Sequence, residues 1–234
     1  MTTSYYRKLK EHYERFGFGK TVAYALDSLV NRVMRAECYH IIVLDRDKVR
    51  EHSVAATTDV SVRLATRDEL MEMRRQGTWG IEQFLLDRAA EGDLCFLNFC
   101  RGELAGYTWA NVNGQPLLFP NLRLRLPDHY IYNYAGFTLP QFRGSGLQSV
   151  RHRELMQHTQ LGKSTLGIIG YVSYTNWASI RGQTKSGYRR IGKLWLLGSK
   201  NHFVTFRSRT VRDFGIARIN DFIGADAKRY STAE

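Results

Sequence analysis

The chain has 234 residues, of which 43% are apolar, enough for one domain plus an extension or two small domains, and wholesale disorder is excluded. Its three cysteines, Cys38, Cys95 and Cys100, form neither a CxxC pair nor an even framework, which excludes a disulfide scaffold and argues for a reducing compartment. No apolar run approaches the roughly 20 residues that span a bilayer, and Met1–Lys10 is polar and basic with no apolar stretch behind it, so a cytoplasmic location is expected.

The first segment, residues 1–58, reads as an amphipathic helical extension. Val22, Leu26, Leu29, Val30, Val33 and Met34 fall on one helical face within Thr21–Ala36. Arg15, Lys20, Arg32 and Arg35 decorate the remainder, and Tyr5, Tyr6, Tyr13, Phe16 and Phe18 add aromatic weight. Such a stripe serves either to dock on the domain's own core, the commoner use, or to lie on an anionic membrane as a peripheral contact. Cys38–Leu44 is compatible with an added strand, and residues 45–58 read as a polar linker.

A core over residues 59–209 begins with alternating Val60, Val62 and Leu64. Thr66-x-x-Glu69 is a capping box that opens a helix through about Arg75, and Ile81–Ala90 supplies a second helix. Asp93–Phe99 and Leu104–Val112 read as strands joined by an Arg101-Gly102 hairpin turn. Next comes the stretch on which the rest is organised, HYIYNYAGFTLPQFRGSGLQ from His129 to Gln148. Period-two alternation puts Tyr130, Tyr132, Tyr134 and Thr138 on one face of a strand that Pro140 ends. Gly144 and Gly146 then lack the Cβ atoms that would block approach to the backbone, and a helix begins behind them, carried by Leu147, Val150, Leu155 and Met156. Amides and a positive helix end converge there, as a phosphate requires. A strand over Leu166–Tyr174, a helix after Asn176 and two more strands follow. Residues 210–234 are expected to form a final helix, with Phe214, Ile216, Ile219, Phe222 and Ile223, and a loose tail.

The turn resembles the acyl-CoA-binding motif of the GNAT superfamily of N-acyltransferases, Gln/Arg-x-x-Gly-x-Gly/Ala, matched by Gln141, Gly144 and Gly146. Asn176 to Arg181, closing at Gly187-Tyr188, is similar to that family's second motif at the family's spacing. The resemblance covers about Asp59–Arg209. It implies an α/β (α+β) fold with a central mixed, mostly antiparallel sheet and flanking helices, and acetyl-CoA or another acyl-CoA as co-substrate. By the same resemblance, Phe137 and Thr138 would contact the acyl and pantetheine arm. Gln141, Arg143, Gly144, Ser145, Gly146, Leu147 and Gln148 would hold the pyrophosphate, and Asn176 and Ser179 would line the other side. An acceptor amine attacks the thioester directly, so no protein nucleophile is needed, and none of the Gly-x-Ser-x-Gly kind is found.

Two departures from the family pattern stand out. The family's usual tyrosine, seven residues beyond the Asn, is Gln183, which reads as a helix-surface residue and cannot act as an acid. The usual glutamate on the strand before the turn is absent, with Tyr132 and Tyr134 in its place. Those two tyrosines are the candidate catalytic groups, set against plain sheet-face packing. His152 and His158 lie six apart on the helix after the turn, off metal spacing, and no ligand cluster supports a metal site.

The net charge of +12 is uneven. From Gln141 onward there are 16 Lys and Arg against 5 Asp and Glu, while the first 140 residues hold 18 against 17. A basic surround suits CoA and leaves a surplus for an anionic acceptor. Nucleic acid would need a reading motif, and none is present. The expected function is acyl transfer, most often acetyl, to a small-molecule or amino-sugar amine. A CoA-binding or regulatory protein of the same fold without catalysis is the alternative. Acceptor, acyl length and oligomeric state have no signature in the sequence.

Overall fold

A computed structural model of the chain describes residues 2–51, 59–77, 79–119, 122–144, 146–157, 165–199 and 202–219. Ser145, His158, most of the linker and the tail with Phe222 and Ile223 lie outside the described residues. The N-terminal segment forms α1 (Thr2–Phe16), α2 (Phe18–Val33), β1 (Arg35–Asp45) and a short α3 (Arg46–Glu51). The strand anticipated near Cys38 is far from peripheral: β1 runs in the interior of the main sheet. Its core-facing run Ile41–Leu44 is fully buried.

β2 (Val60–Leu64) leads to α4 (Arg67–Gln76), whose start is fixed as the sequence predicts. The Thr66 hydroxyl accepts from the Glu69 amide at 3.2 Å, and the Glu69 carboxylate accepts from the Thr66 amide at 2.8 Å. Gly77 closes the helix in the left-handed region at φ 70°. Next come α5 (Gln83–Ala90), β3 (Leu94–Cys100) and β4 (Glu103–Asn111), with Arg101 and Gly102 both at positive φ in the hairpin between the last two. Two short strands that sequence periodicity did not reveal, β5 (Leu117–Phe119) and β6 (Leu122–Arg125), precede β7 (Tyr130–Thr138). The chain continues through α6 (Leu147–Gln157), β8 (Gly167–Ser173), α7 (Trp177–Lys185), β9 (Arg189–Gly198) and β10 (Phe203–Arg207). The described residues end in α8 (Arg209–Asp213) and β11 (Ala217–Arg218), and the part of the expected final helix with Phe222 and Ile223 lies outside them.

The main sheet has eight strands in the order β10-β9-β1-β8-β7-β4-β3-β2, and a small sheet of β11, β6 and β5 accompanies it. Every pairing in the main sheet is antiparallel except β7 with β8. The fold is thus mixed α/β, with a mostly antiparallel sheet and flanking helices. One face packs Leu155 and Met156 of α6 against Ile42, Phe96, Ile131 and Ile168. The opposite face packs the β6 leucines on Ile41, Tyr132, Ile169 and Leu194, and farther along Leu70, Trp79 and Leu85 on Leu97, Tyr107 and Trp109. Leu155 and Ile168 are completely buried; burying such side chains contributes about 1.5–3 kcal/mol each.

β7 is not a regular strand. Its register with β4 pairs Tyr107 with Phe137 but Trp109 with Tyr134, so between these pairs Thr108 of β4 opposes both Ala135 and Gly136 of β7. The extra residue is Ala135, at φ 44°, and the result is a β-bulge. The bulge reverses the alternation beyond it. Phe137, not Thr138, shares the tyrosine face, stacking on Tyr107 with ring centres 5.6 Å apart. The expected placement of Thr138 beside the tyrosines therefore fails, because strict period two does not survive an inserted residue.

The bulge also dictates a glycine. A Cβ on Gly106 would lie 2.3 Å from the Phe137 carbonyl oxygen. Gly106→Ala is expected to push β4 and β7 apart and to cost about 1–3 kcal/mol, read as a lower urea midpoint at unchanged slope. An unshifted midpoint would mean the strands already stand farther apart than this.

Candidate active site

β7 and β8 pair only at Tyr130–Gly167, Ile131–Ile168 and Tyr132–Ile169. Beyond those three residues the strands part, each still held on its outer edge, β7 by β4 and β8 by β1. A cleft opens between their C-terminal ends. The Leu139 amide donates to the Ala105 carbonyl of β4 at 2.9 Å, so by strand alternation the amide and carbonyl of Thr138 face the cleft.

The turn at the mouth of the cleft is built as its sequence suggests. Pro140–Phe142 make a 3-10 turn, and Gly144 and Gly146 both adopt positive φ, 86° and 75°. A Cβ on Gly144 would meet no protein atom within 4 Å. The glycine is therefore demanded by backbone conformation, and its α-carbon faces open space that a ligand can use. Leu147 and Gln148 supply the first amides of α6, with no earlier turn of helix to bind them. Arg143 bends back so that its Nε donates to the Thr138 carbonyl at 3.1 Å, leaving the residue exposed at the rim. The Gln148 side chain points instead at α7, with its Oε1 3.3 Å from the Cβ position of Gly182. Gln141 is exposed at the turn.

On the other lip, Asn176 caps α7, its side chain accepting from the Ser179 amide at 3.1 Å. Its side-chain oxygen is thus engaged in a helix cap. Gln183 is not the surface residue its position suggests: its Oε1 is buried and has no partner among the described residues. Lys20 of α2 sits over the Trp177 ring at 4.9 Å, which brings the N-terminal helices to this lip.

The two candidate catalytic tyrosines lie together, Tyr132 in the last pair at the base of the fork and Tyr134 just beyond it. Tyr132 is buried and stacks between Tyr134 (5.4 Å) and Tyr171 (6.1 Å), and Tyr39 meets Tyr171 edge-on at 4.9 Å. The four rings form a row across β1, β8 and β7, with a carboxylate at each end. At one end the Tyr39 hydroxyl donates to Glu37 at 2.7 Å, and at the other Tyr134 donates to Asp93 at 2.7 Å. Burial pushes the phenols of Tyr132 and Tyr134 well up from the usual value; for Tyr132 the neighbouring Tyr171 adds to this, for Tyr134 the charge of Asp93. Both therefore remain protonated hydrogen-bond donors. Asp93 is buried, and this raises its carboxyl above the ordinary range, while hydrogen bonds from Tyr134 and from Asn111, at 2.6 Å, oppose the rise.

Sequence reading missed Asp93. In sequence it is only the first residue of the Asp93–Phe99 strand, and only the β3–β4–β7 pairing brings it to a tyrosine 41 residues away. Arg151 was missed as well. Fully buried on α6, it donates to the Tyr107 carbonyl at 3.0 Å behind the bulge, and burial lowers it to about 10. His152 is buried and held neutral, its pKa lowered well below the usual value by burial and then by Arg151. Among the described residues no group of three or more His, Cys, Asp and Glu could hold a metal ion. A separate pocket of about 530 Å³, lined by Asn113, Gln115, Asp128, His129 and Thr165, lies at the opposite end of β7 and includes none of the cleft residues.

No protein-family model and no curated protein matches the sequence. Solved structures similar in shape include a conserved protein of unknown function from Staphylococcus epidermidis, with 10% identity, a TM-score of 0.47, and coverage of 72% of this chain and 63% of that one. A GCN5-related N-acetyltransferase from Kribbella flavida has 10% identity and a TM-score of 0.46, over 73% and 62% of the two chains. An aminoglycoside N-acetyltransferase in complex with CoA has 18% identity and a TM-score of 0.38, over 57% and 90%. The chain thus spans less than two thirds of the length of the first two. The likeness is partial and concerns shape.

Asn176→Ala is expected to cost about 1 kcal/mol through loss of the cap, measured by urea denaturation.

Proposed function

We propose that the chain is an acyl-CoA-dependent N-acyltransferase of the GNAT type, carrying an acetyl group from acetyl-CoA to an amine of a small molecule or amino sugar. One observation carries the reading: the only parallel pair of the main sheet parts directly beneath a two-glycine turn that heads a helix. A pyrophosphate would meet the amides of Gly144, Gly146, Leu147 and Gln148, with Ser145 between them, and the positive end of α6. Arg143 and Gln141 would flank it. The pantetheine arm, an extended chain of amides, would use the cleft-facing groups of Thr138, with Phe137 beneath the bulge and Asn176 and Ser179 on the far lip. The basic excess beyond Gln141 favours the anionic donor and an anionic acceptor alike.

In this reading the acceptor amine attacks the thioester carbon and must lose a proton. Tyr134 can take it only by passing its own phenolic proton to Asp93, a relay matched to the 2.7 Å hydrogen bond between them. Asp93 has to be ionised to accept. Gln183 offers an amide N–H and no acid proton, so the departing sulfur draws its proton from water. A CoA-binding protein without turnover is the second reading, favoured by the complete burial of Tyr132 and by Gln183 in the place of an acid.

Thermal denaturation with acetyl-CoA should show a concentration-dependent rise in melting temperature. Gly144→Val should lose that rise while the sheet still folds, since a β-branched residue cannot hold φ 86° and the exposed turn would have to rearrange. With an amine that is turned over, Asp93→Asn and Tyr134→Phe should lower kcat by about 10²–10⁴-fold at unchanged acyl-CoA affinity. The wild-type rate should climb with pH through the raised pKa of Asp93, and Asp93→Asn should flatten that limb. Tight acyl-CoA binding with no thiol release over a broad amine panel would select the second reading, and no binding would defeat both.

A further inference from the structure

The second N-terminal helix turns its apolar side away from the protein. α2 directs Thr21, Tyr24, Ala25, Asp27 and Asn31 inward. The Thr175 hydroxyl donates to Asp27 at 3.2 Å, and Tyr24 stacks on His12 of α1 at 4.8 Å. The outward side carries Val22, Leu26, Leu29 and Val30, with Phe18 before them and Met34 after. Phe18 is 74% exposed, Leu26 56% and Leu29 57%. A helix that docks on its own core has the reverse arrangement, so docking of this stripe, the commoner expectation, is not what the fold does. The apolar surface extends past the helix. Cys38, beside Asp27, pairs with Trp195, and alternation puts Leu197 on that same face with Val204 and Phe206, all exposed.

The charges around this surface select its partner. α1 and α2 together carry six Lys and Arg against three Asp and Glu; Asp27, the sole carboxylate of α2, points inward, while Lys8 and Arg15 of α1 are exposed. On α1 the exposed Glu11 and Glu14 are engaged with Arg7 and Lys10. A second copy laid on this face would bring cations of one sign together in a chain already at +12. An anionic bilayer accepts both the leucines and the cations. We infer that α2, with α1 beside it, lies in the interface of an anionic membrane and attaches the protein peripherally. No helix among the described residues is long and apolar enough to cross a membrane. The inference is independent of the acyltransferase reading.

The test is co-sedimentation of the full chain with vesicles of phosphatidylglycerol and phosphatidylcholine in equal parts, and of phosphatidylcholine alone. The protein should pellet with the anionic vesicles, be released as salt rises, and remain largely free with the neutral ones. Leu26→Glu with Leu29→Glu should stay in the supernatant at an unchanged melting temperature. Lys8→Glu, which spares the apolar face, should weaken anionic partition by about fivefold or more. Two results would overturn the inference: no pelleting with either vesicle, or a wild-type dimer that the double Leu variant converts to monomer, which would assign the face to a second copy.

Discussion

The parting of β7 from β8 is the constraint on which the site depends. In an all-antiparallel sheet each strand is zipped to both neighbours, and a gap would strand backbone donors and acceptors at about 1–3 kcal/mol each. Here the outer edges are fixed by long antiparallel ladders, to β4 on one side and β1 on the other, so the inner edges can separate without loss of the sheet. The base of the fork is tight by composition. A Cβ on Gly167 would lie 2.8 Å from the Leu44 carbonyl, and one on Gly170 would lie 3.3 Å from that of Asn133. Small residues close the fork, bulky Tyr171 follows where it opens, and the backbone groups released along the cleft are left for a ligand or water.

The bulge at Ala135 works with that fork. It is pinned by Asn133, whose Nδ2 donates to the Thr108 hydroxyl at 2.8 Å and to the Trp109 carbonyl at 3.1 Å, and by Arg151 on the Tyr107 carbonyl. One inserted residue after Tyr134, which reaches Asp93 from the regular part of the strand, lets Phe137 pack on Tyr107 and Trp79 on the same face. Without the insertion, Phe137 would face α6 and the Thr138 carbonyl would turn toward β4. The continuation of the tyrosine face by Phe137 and the cleft-facing backbone of Thr138 thus follow from the same extra residue.

These links explain what the sequence could and could not reveal. The capping box of α4, the glycine turn and the strand before it are local devices, decided by residues within a few positions of one another, and they are built where expected. The interior place of β1 is decided by pairing with β8 and β9, some 130 and 150 residues away in chain order, and Cys38–Leu44 has the same alternation in any sheet position. The Tyr134–Asp93 contact needs two strand registers, β3 with β4 and β4 with β7, to be right at once. β5, β6 and β11 are too short for periodicity to mark.

The outward turn of α2 is likewise a property of attachment rather than of pattern. Periodicity defines a stripe but not which side of the helix the rest of the chain will cover. That side is set at the helix end, where the Asn31 side chain accepts from the Ala36 amide at 2.9 Å and so locks the helix to the first residues of an interior strand. With the C-terminal end fixed to β1, Asp27 faces Thr175 and Lys20 reaches Trp177, both beside the lip of the cleft. These attachments are polar and individually modest, of order 1 kcal/mol, and they orient the helix without covering its leucines. A helix aimed by a buried strand and left apolar on its free side is held in readiness for a surface outside the chain, and its contacts with α7 carry that surface to the edge of the candidate active site.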